Sequence, residues 1–314
     1  MNIVLLESLA ISDAALNGYA ATLKNAGHEF AAYPKDSSEA VQIERAKDAD
    51  VIMLANMPLS AKVIEACGKL KYIDIAFTGY DHVAVDVAKK RGIQLSNASG
   101  YATESVAELA LALAIDLLRN IPQVDQRCRE GKTKDGLVGF ELKGKTLGIV
   151  GAGAIGLRVA ELFHALGAAI LAYEPYPRDN PPAYITFTTL DEVLAQSDIV
   201  TLHCLLNDST RGLINHERIG KMKRGAYLIN AARGPVVDSA ALAAALNSGY
   251  LAGAGIDVFE AEPPLDTAHP LLHSKNTIVT PHIAFASKES MELRAGIVFN
   301  NLEEWLKGNH IHQI

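Results

Sequence analysis

The sequence predicts an α/β protein of two parallel-sheet domains, the second inserted into the first. Three observations predict it. Short apolar runs alternate with helical patterns along most of the chain, as parallel βα units do. A glycine-rich strand-to-helix turn, Gly151-Ala-Gly153-Ala-Ile-Gly156, lies near the middle, and the first hundred residues have no counterpart. At 314 residues the chain is also long for a single hydrophobic core.

Composition narrows the class. Hydrophobic residues make up 49% and charged residues 21%, ordinary values for a soluble globular chain. The net charge of −7 comes without long acidic or basic blocks, so neither nucleic acid nor a membrane is an expected partner. Apolar runs such as Leu109–Ile115 and Ala240–Leu246 fall far short of the roughly 20 residues of a membrane helix. Met1-Asn-Ile-Val-Leu-Leu-Glu7 reads as a first strand rather than a signal peptide. Cys67, Cys128 and Cys204 are widely spaced without a CxxC, so neither disulfides nor a metal site is expected, and a cytoplasmic setting fits.

In the first domain, strands are expected at Asn2–Leu6, Glu29–Tyr33, Val51–Leu54, Tyr72–Ala76 and Gln94–Ser96, with helices at Ala14–Ala26 and Ser60–Cys67. A helix follows Tyr101, with Ser105 and Glu108 as a capping box and a stripe of Val106, Leu109, Ala110, Leu113 and Leu117. Residues 109–115 are apolar on every face, so burial all round is expected, between domains or against a second subunit. Arg127–Asp135 reads as a loop or arm.

Leu147–Val150 then forms a strand entering the glycine turn. Gly151 permits the tight turn, Gly153 lets backbone approach a pyrophosphate, and Gly156 lets helix pack on strand. Backbone at Ala154 and Ile155 faces the phosphates. The strand Ala169–Tyr173 ends at Glu174, 18 residues past Gly156, where an acid accepts hydrogen bonds from an adenosine ribose. Glu174 would repel a 2′-phosphate and so favours NAD, although nearby Arg178 leaves some NADP use open. Pro175, Pro177, Pro181 and Pro182 force an irregular loop. Strands Ile185–Phe187, Asp198–His203, Ala226–Asn230, Gly253–Val258 and Thr277–Thr280 complete a Rossmann-like sheet of six or seven strands. Helices at Thr189–Gln196, Asn215–Lys221 and Ser239–Ser248 separate most of them. A last helix, Ser287 to about Leu306, is expected to return to the first domain, giving 1–98 plus 286–314 and 99–285. His310 and His312, without a third ligand nearby, read as a solvated tail.

Reducing a 2-oxo acid with a nicotinamide needs a cation for the carboxylate, an acid for the forming alkoxide, and a group orienting that acid. Strand ends beside the cofactor are where they belong. Arg233, in Asn230-Ala-Ala-Arg-Gly-Pro235, offers a guanidinium fork, and read alone it also fits a surface arginine in a turn. Glu262 follows a strand end in Phe259-Glu-Ala-Glu-Pro-Pro264, where Glu260 is a competitor. His282 ends the next strand in Thr280-Pro-His-Ile-Ala284, and an ordinary histidine pKa of about 6.5 suits proton transfer.

Gly-Ala-Gly-Ala-Ile-Gly, Asn-Ala-Ala-Arg-Gly-Pro-Val-Val-Asp, Glu-Pro and Pro-His-Ile-Ala, in this order, resemble the D-isomer-specific 2-hydroxyacid dehydrogenases from about Val51 to Trp305. The resemblance implies two Rossmann-like or flavodoxin-like domains separated by a cleft, the cofactor NAD, and a homodimer. It implies His282 as acid/base, Glu262 as its partner and Arg233 as substrate anchor. Thr78 and Gly79 would offer backbone N–H groups to the substrate carboxylate; Thr103 would contact the nicotinamide end and Asp257 its carboxamide. His203 would lie over the adenosine side, and Ala231 completes the cofactor set. Leu205 departs from the family pattern, which has proline there. Stretches 76–86 and 96–106 look most like the glycerate dehydrogenase (hydroxypyruvate reductase) branch. D-lactate, a branched oxo acid and 3-phosphoglycerate stay open as substrates, as does an NAD-sensing scaffold like the C-terminal-binding-protein co-repressors.

Overall fold

The computed structural model describes residues 1–177, 179–261 and 264–314. They divide into two compact units, Met1–Ala102 with Ala286–Ile314, and Thr103–Phe285. In the first unit the elements run β1 (Asn2–Leu5), α1 (Asp13–Asn25), β2 (Glu29–Ala32), α2 (Glu39–Ala46), β3 (Val51–Leu54), α3 (Ala61–Ala66), β4 (Tyr72–Ile75), α4 (Val85–Lys90) and β5 (Gln94–Asn97). All pairings are parallel, in the order β2-β1-β3-β4-β5. β3 and β4 are buried at every residue; β3 accordingly reads as a continuous apolar run rather than an alternating one, and β4 does so except at Asp74.

The second unit opens with α5 (Thr103–Arg119) and α6 (Ile121–Arg129). It continues through β6 (Thr146–Val150), α7 (Ala154–Ala165), β7 (Ala169–Tyr173), β8 (Ile185–Phe187), α8 (Leu190–Gln196), β9 (Ile199–Leu202), α9 (His216–Lys221), β10 (Tyr227–Asn230), α10 (Ser239–Asn247), β11 (Gly253–Ile256) and β12 (Thr277–Val279). Its seven strands are parallel in the order β12-β11-β10-β9-β6-β7-β8. Helices cover both faces. One core joins Leu113, Leu117, Val159 and Phe163 of α5 and α7 to Leu147 and Ile149 of β6. The other joins Val193, Leu194, Ile219 and Leu242 of α8 to α10 to Val200 and Leu228. Gly148 is needed in β6 because a Cβ there would lie 2.2 Å from Ser197 Oγ, where α8 ends on the sheet.

The chain then returns to the first unit through α11 (Lys288–Leu306), capped by Ser287 Oγ, which accepts from Ser290 N–H at 3.1 Å. Phe299 stacks on Tyr19 at 4.0 Å and Trp305 on Tyr72 at 4.7 Å, and Val298 and Leu302 are fully buried. Such side chains each contribute about 1.5–3 kcal/mol.

Four sequence expectations need correction. α5 begins at Thr103, so Ser105 and Glu108 lie in its first turns rather than forming a capping box. Within the single chain it is not buried all round, because Glu108, Ala112, Ile115 and Arg119 form an exposed stripe at helical spacing, which leaves only a second subunit to cover that face. The expected loop from Arg127 is helical as far as Arg129; α6 buries no residue, so no apolar stripe announced it. The tail is not simply solvated. Ile314 N–H donates to Leu95 O, His310 meets Gln94, and His312 Nδ1 lies 2.8 Å from Asn301 Oδ1. Among the described residues no helix is long and apolar enough to cross a membrane.

Candidate active site

Two groups of residues gather at the carboxyl ends of the second unit's strands. The first is the glycine turn. Gly151 has φ +96°, and a Cβ on it would lie 2.6 Å from the Cys204 N atom. It is thus required both by its conformation and by the close passage of the chain leaving β9. A Cβ on Gly156 would lie 2.1 Å from Gly151 O, so α7 rests directly on the turn. Gly153 differs: open space surrounds its Cβ position, and as N-cap of α7 it gives the helix no side-chain cap. The first-turn N–H groups, including those of Ala154 and Ile155, therefore face outward at the positive end of the helix dipole, a cradle that fits a pyrophosphate.

Glu174 lies beside this turn and is tied to it. Its Oε2 accepts from Ala152 N–H at 3.0 Å and its Oε1 from Tyr176 N–H at 3.3 Å. Arg178, considered for NADP use, lies outside the described residues. His203 leaves β9 with its N–H on Val150 O and its Nε2 2.9 Å from Thr201 Oγ1. Loss of hydration pushes its pKa down to about 4, so the ring is neutral at pH 7. Burial likewise pushes the Cys204 thiol up to about 11, which suits packing rather than thiolate chemistry. Leu205 stands where the family pattern has proline, and the loop is held instead by Thr210 Oγ1 donating to Leu205 O at 2.6 Å.

The second group follows three neighbouring strands. Asn230 of β10 pairs with Ile256 of β11, and Ile256 with Val279 of β12. Arg233, Asp257 and His282 each lie within a few residues of these ends. Asn230 shapes the arginine loop: its Oδ1 accepts from Ala232 N–H at 3.1 Å and its Nδ2 donates to Arg233 O at 3.0 Å. Gly234 next to it is pressed on the β11 exit, where a Cβ would lie 1.9 Å from the Phe259 carbonyl carbon. Ala231 lies between Asn230 and this turn.

Asp257 is fully buried, and three donors meet its carboxylate. Thr280 Oγ1 donates at 2.5 Å and Ile283 N–H at 2.8 Å to Oδ1, and Ala284 N–H donates at 2.8 Å to Oδ2. Burial raises its pKa against the lowering effect of those donors and of the His282 charge. These bonds bracket His282, whose own N–H donates to Asp257 O at 2.7 Å. His282 takes φ +58°, a left-handed conformation that costs a non-glycine residue on the order of 1 kcal/mol. Its ring meets Phe285 edge-on at 5.2 Å. The holders Asn230 and Thr280 escaped the sequence reading; each is a polar residue at the end of an apolar strand, the one signal available.

Glu262 lies outside the described residues. Its competitor Glu260 is engaged elsewhere, with Oε2 3.0 Å from His269 Nε2. Burial raises its pKa, but the bonds to Ser239 and His269 outweigh that and hold it below the usual value. Thr103 is the first residue of α5. Thr78 and Gly79 belong to the first unit, in the loop leaving β4, where Asn97 Nδ2 donates to Thr78 O at 2.8 Å.

Residues 111–284 match the family model described as D-isomer specific 2-hydroxyacid dehydrogenase, NAD binding domain. The chain is 39% identical over 282 residues to a hydroxypyruvate reductase of Blautia hydrogenotrophica, covering 87% of each protein. It is 40% identical over 289 residues to a glyoxylate reductase of Thermofilum pendens, covering 90% of this chain and 85% of that one. A D-lactate dehydrogenase from Aquifex aeolicus, solved with NAD and lactic acid, superposes with a TM-score of 0.88 at 30% identity, covering 98% of this chain and 96% of that one.

Proposed function

Because the chain belongs to the D-isomer-specific 2-hydroxyacid dehydrogenase family, we propose that it reduces hydroxypyruvate or glyoxylate to the corresponding 2-hydroxy acid. It is an NAD-dependent oxidoreductase acting on the CH–OH group of 2-hydroxy acids. The observation that carries the mechanistic reading is the placement of Arg233, Asp257 and His282 just past the ends of three adjacent parallel strands. Ligands bind at carboxyl ends of strands in open α/β sheets.

Gly151, Gly153, Ala154, Ile155 and Gly156 would hold the pyrophosphate of NAD, Glu174 its ribose, and His203 the adenosine side. Thr103, Ala231 and Asp257 would serve the nicotinamide end. Bound NADH supplies the hydride. Arg233 grips the substrate carboxylate and polarises its carbonyl. The N–H groups of Thr78 and Gly79 would offer hydrogen bonds to the substrate carboxylate. His282, in its charged form, donates the proton to the forming alkoxide, with Glu262 as its hydrogen-bond partner. The proposal extends to a cytoplasmic homodimer, supported by the exposed apolar side chains Ile115, Ile121, Val138 and Phe140.

The test is turnover of hydroxypyruvate, glyoxylate, pyruvate and 3-phosphohydroxypyruvate with NADH and NADPH in parallel. The first two with NADH are expected to give the highest kcat/KM. His282→Gln should lower kcat by about 10²–10⁴-fold with little change in NADH affinity. Cofactor binding without turnover of any 2-oxo acid would overturn the reading in favour of an NAD-sensing scaffold.

A further inference from the structure

We propose that Asn97 is a positioning residue that aims the Thr78–Gly79 peptide at the substrate carboxylate. The inference rests on the proposed function, and it concerns the first unit alone. Asn97 ends β5 and is 6% exposed. Its Nδ2 donates to Thr78 O at 2.8 Å, while its Oδ1 accepts from Ser99 N–H at 3.3 Å. Turning the amide over would set oxygen against oxygen and N–H against N–H, so its orientation is determined.

A trans peptide is planar, and its C=O and N–H point in opposite directions. Holding the Thr78 carbonyl therefore fixes where the Gly79 N–H points. Among the described residues neither the Thr78 nor the Gly79 N–H donates to another protein group, although Gly79 is buried. Buried donors are nearly always paired, and exceptions mark places where something else completes them. Two consecutive N–H groups, one of them aimed by a side chain, form a small anion-holding concavity.

Asn97 is itself held from behind. Its N–H donates to His312 O at 3.1 Å and its carbonyl accepts from Asn301 Nδ2 at 3.0 Å. Asn301 also donates to Asp74 Oδ1 at 3.2 Å and faces His312 Nδ1 at 2.8 Å. Next along the chain, Ala98 N–H donates to Phe77 O at 3.1 Å, clasping the β5 exit to the β4 exit. The peptide is thus aimed by α11, the tail and the sheet together.

Asn97→Ala should raise the KM for hydroxypyruvate about tenfold, and weaken oxamate, an unreactive 2-oxo acid analogue, by the same factor. NADH affinity should not move, and kcat should change by less than about twofold. Asn97→Asp places a carboxylate against the Thr78 carbonyl and should do more damage still. Asn301→Ala controls for loss of fold: it removes the support but leaves the Asn97–Thr78 bond, so it should lower Tm with a smaller change in KM. If the KM changes merely follow the loss of Tm across these variants, or NADH affinity falls with oxamate affinity, Asn97 is structural and the proposal fails. Unchanged KM in Asn97→Ala beside an active wild type overturns this proposal alone. A wild type that turns over no 2-oxo acid overturns the functional reading and this one with it.

Discussion

In both units the strand order of a parallel sheet reverses once, between β1 and β3 in the first and between β6 and β9 in the second. These are the positions where open α/β sheets offer a crevice to ligands. The two are filled differently. In the first unit Glu7, 3% exposed, follows β1, and its Oε1 accepts from Ala55 and Met57 N–H at 2.7 Å each, in the loop that leaves β3. The helix beyond it, α1, is capped by Ser12 Oγ, which accepts from Ala15 N–H at 3.2 Å. In the second unit the chain turns at once through Gly151–Gly153, and α7 begins with no side-chain cap. The first crevice satisfies its donors from within the chain, whereas the second leaves them facing outward. The comparison teaches that parallel topology permits a phosphate site, and bare N–H groups at a helix start make one.

The largest test of this contrast is to give the second crevice what the first has. Gly153→Asp meets open space at its Cβ and an ordinary backbone conformation, φ −72°. Aspartate is a favoured N-cap, so the fold should be unharmed or gain about a few tenths of a kcal/mol. Its carboxylate would occupy the place of the pyrophosphate with the same charge sign. NADH affinity should fall at least about 100-fold while Tm holds or rises. Wild-type NADH affinity in this variant would place the phosphates elsewhere.

The buried strands were legible because they read as apolar runs: β3, buried at every residue, begins and ends where the sequence placed it. α6 was not, because a helix with no buried residue has no stripe to read. In the site, Gly151 and Gly156 were legible because their necessity is local, set by one turn and the helix leaving it. The surroundings of Asp257 were not. The resemblance gave it a role towards a nicotinamide carboxamide, but no spacing announced that its carboxylate would also meet Thr280, Ile283 and Ala284 and shape the loop of His282. Asn97 and Asn230 were hidden for the same reason: their partners are set by how strand ends come together, which no local spacing encodes.

A smaller effect comes from the chain that passes over the glycine turn. His203 is held neutral there, with its pKa at about 4, below the roughly 6.5 of an unfolded histidine. As pH falls the unfolded chain takes up this proton first. The stabilising contribution is therefore fully present above about pH 6.5 and is lost as pH falls towards 4. A shift of this size corresponds to roughly 2–3 kcal/mol for a partly exposed ring. Urea unfolding at pH 7.5 and pH 5 should show the loss in the wild type and a shallower one in His203→Gln. Equal losses in both would assign the acid sensitivity to other groups.

The smallest effect is expected at the first crevice, and it sharpens the comparison from the other side. Ser12→Ala removes the cap of α1 and should cost about 1 kcal/mol, read as a modest fall in the urea midpoint with an unchanged slope. Ser12→Gly should cost only a few tenths, because glycine leaves the N–H groups open to water. Neither change should alter NADH affinity: the donors at the start of α1 serve the fold, and Glu7 still occupies the loop leaving β3. A fall in NADH affinity in Ser12→Ala would mean that the two crevices do not divide their work in this way.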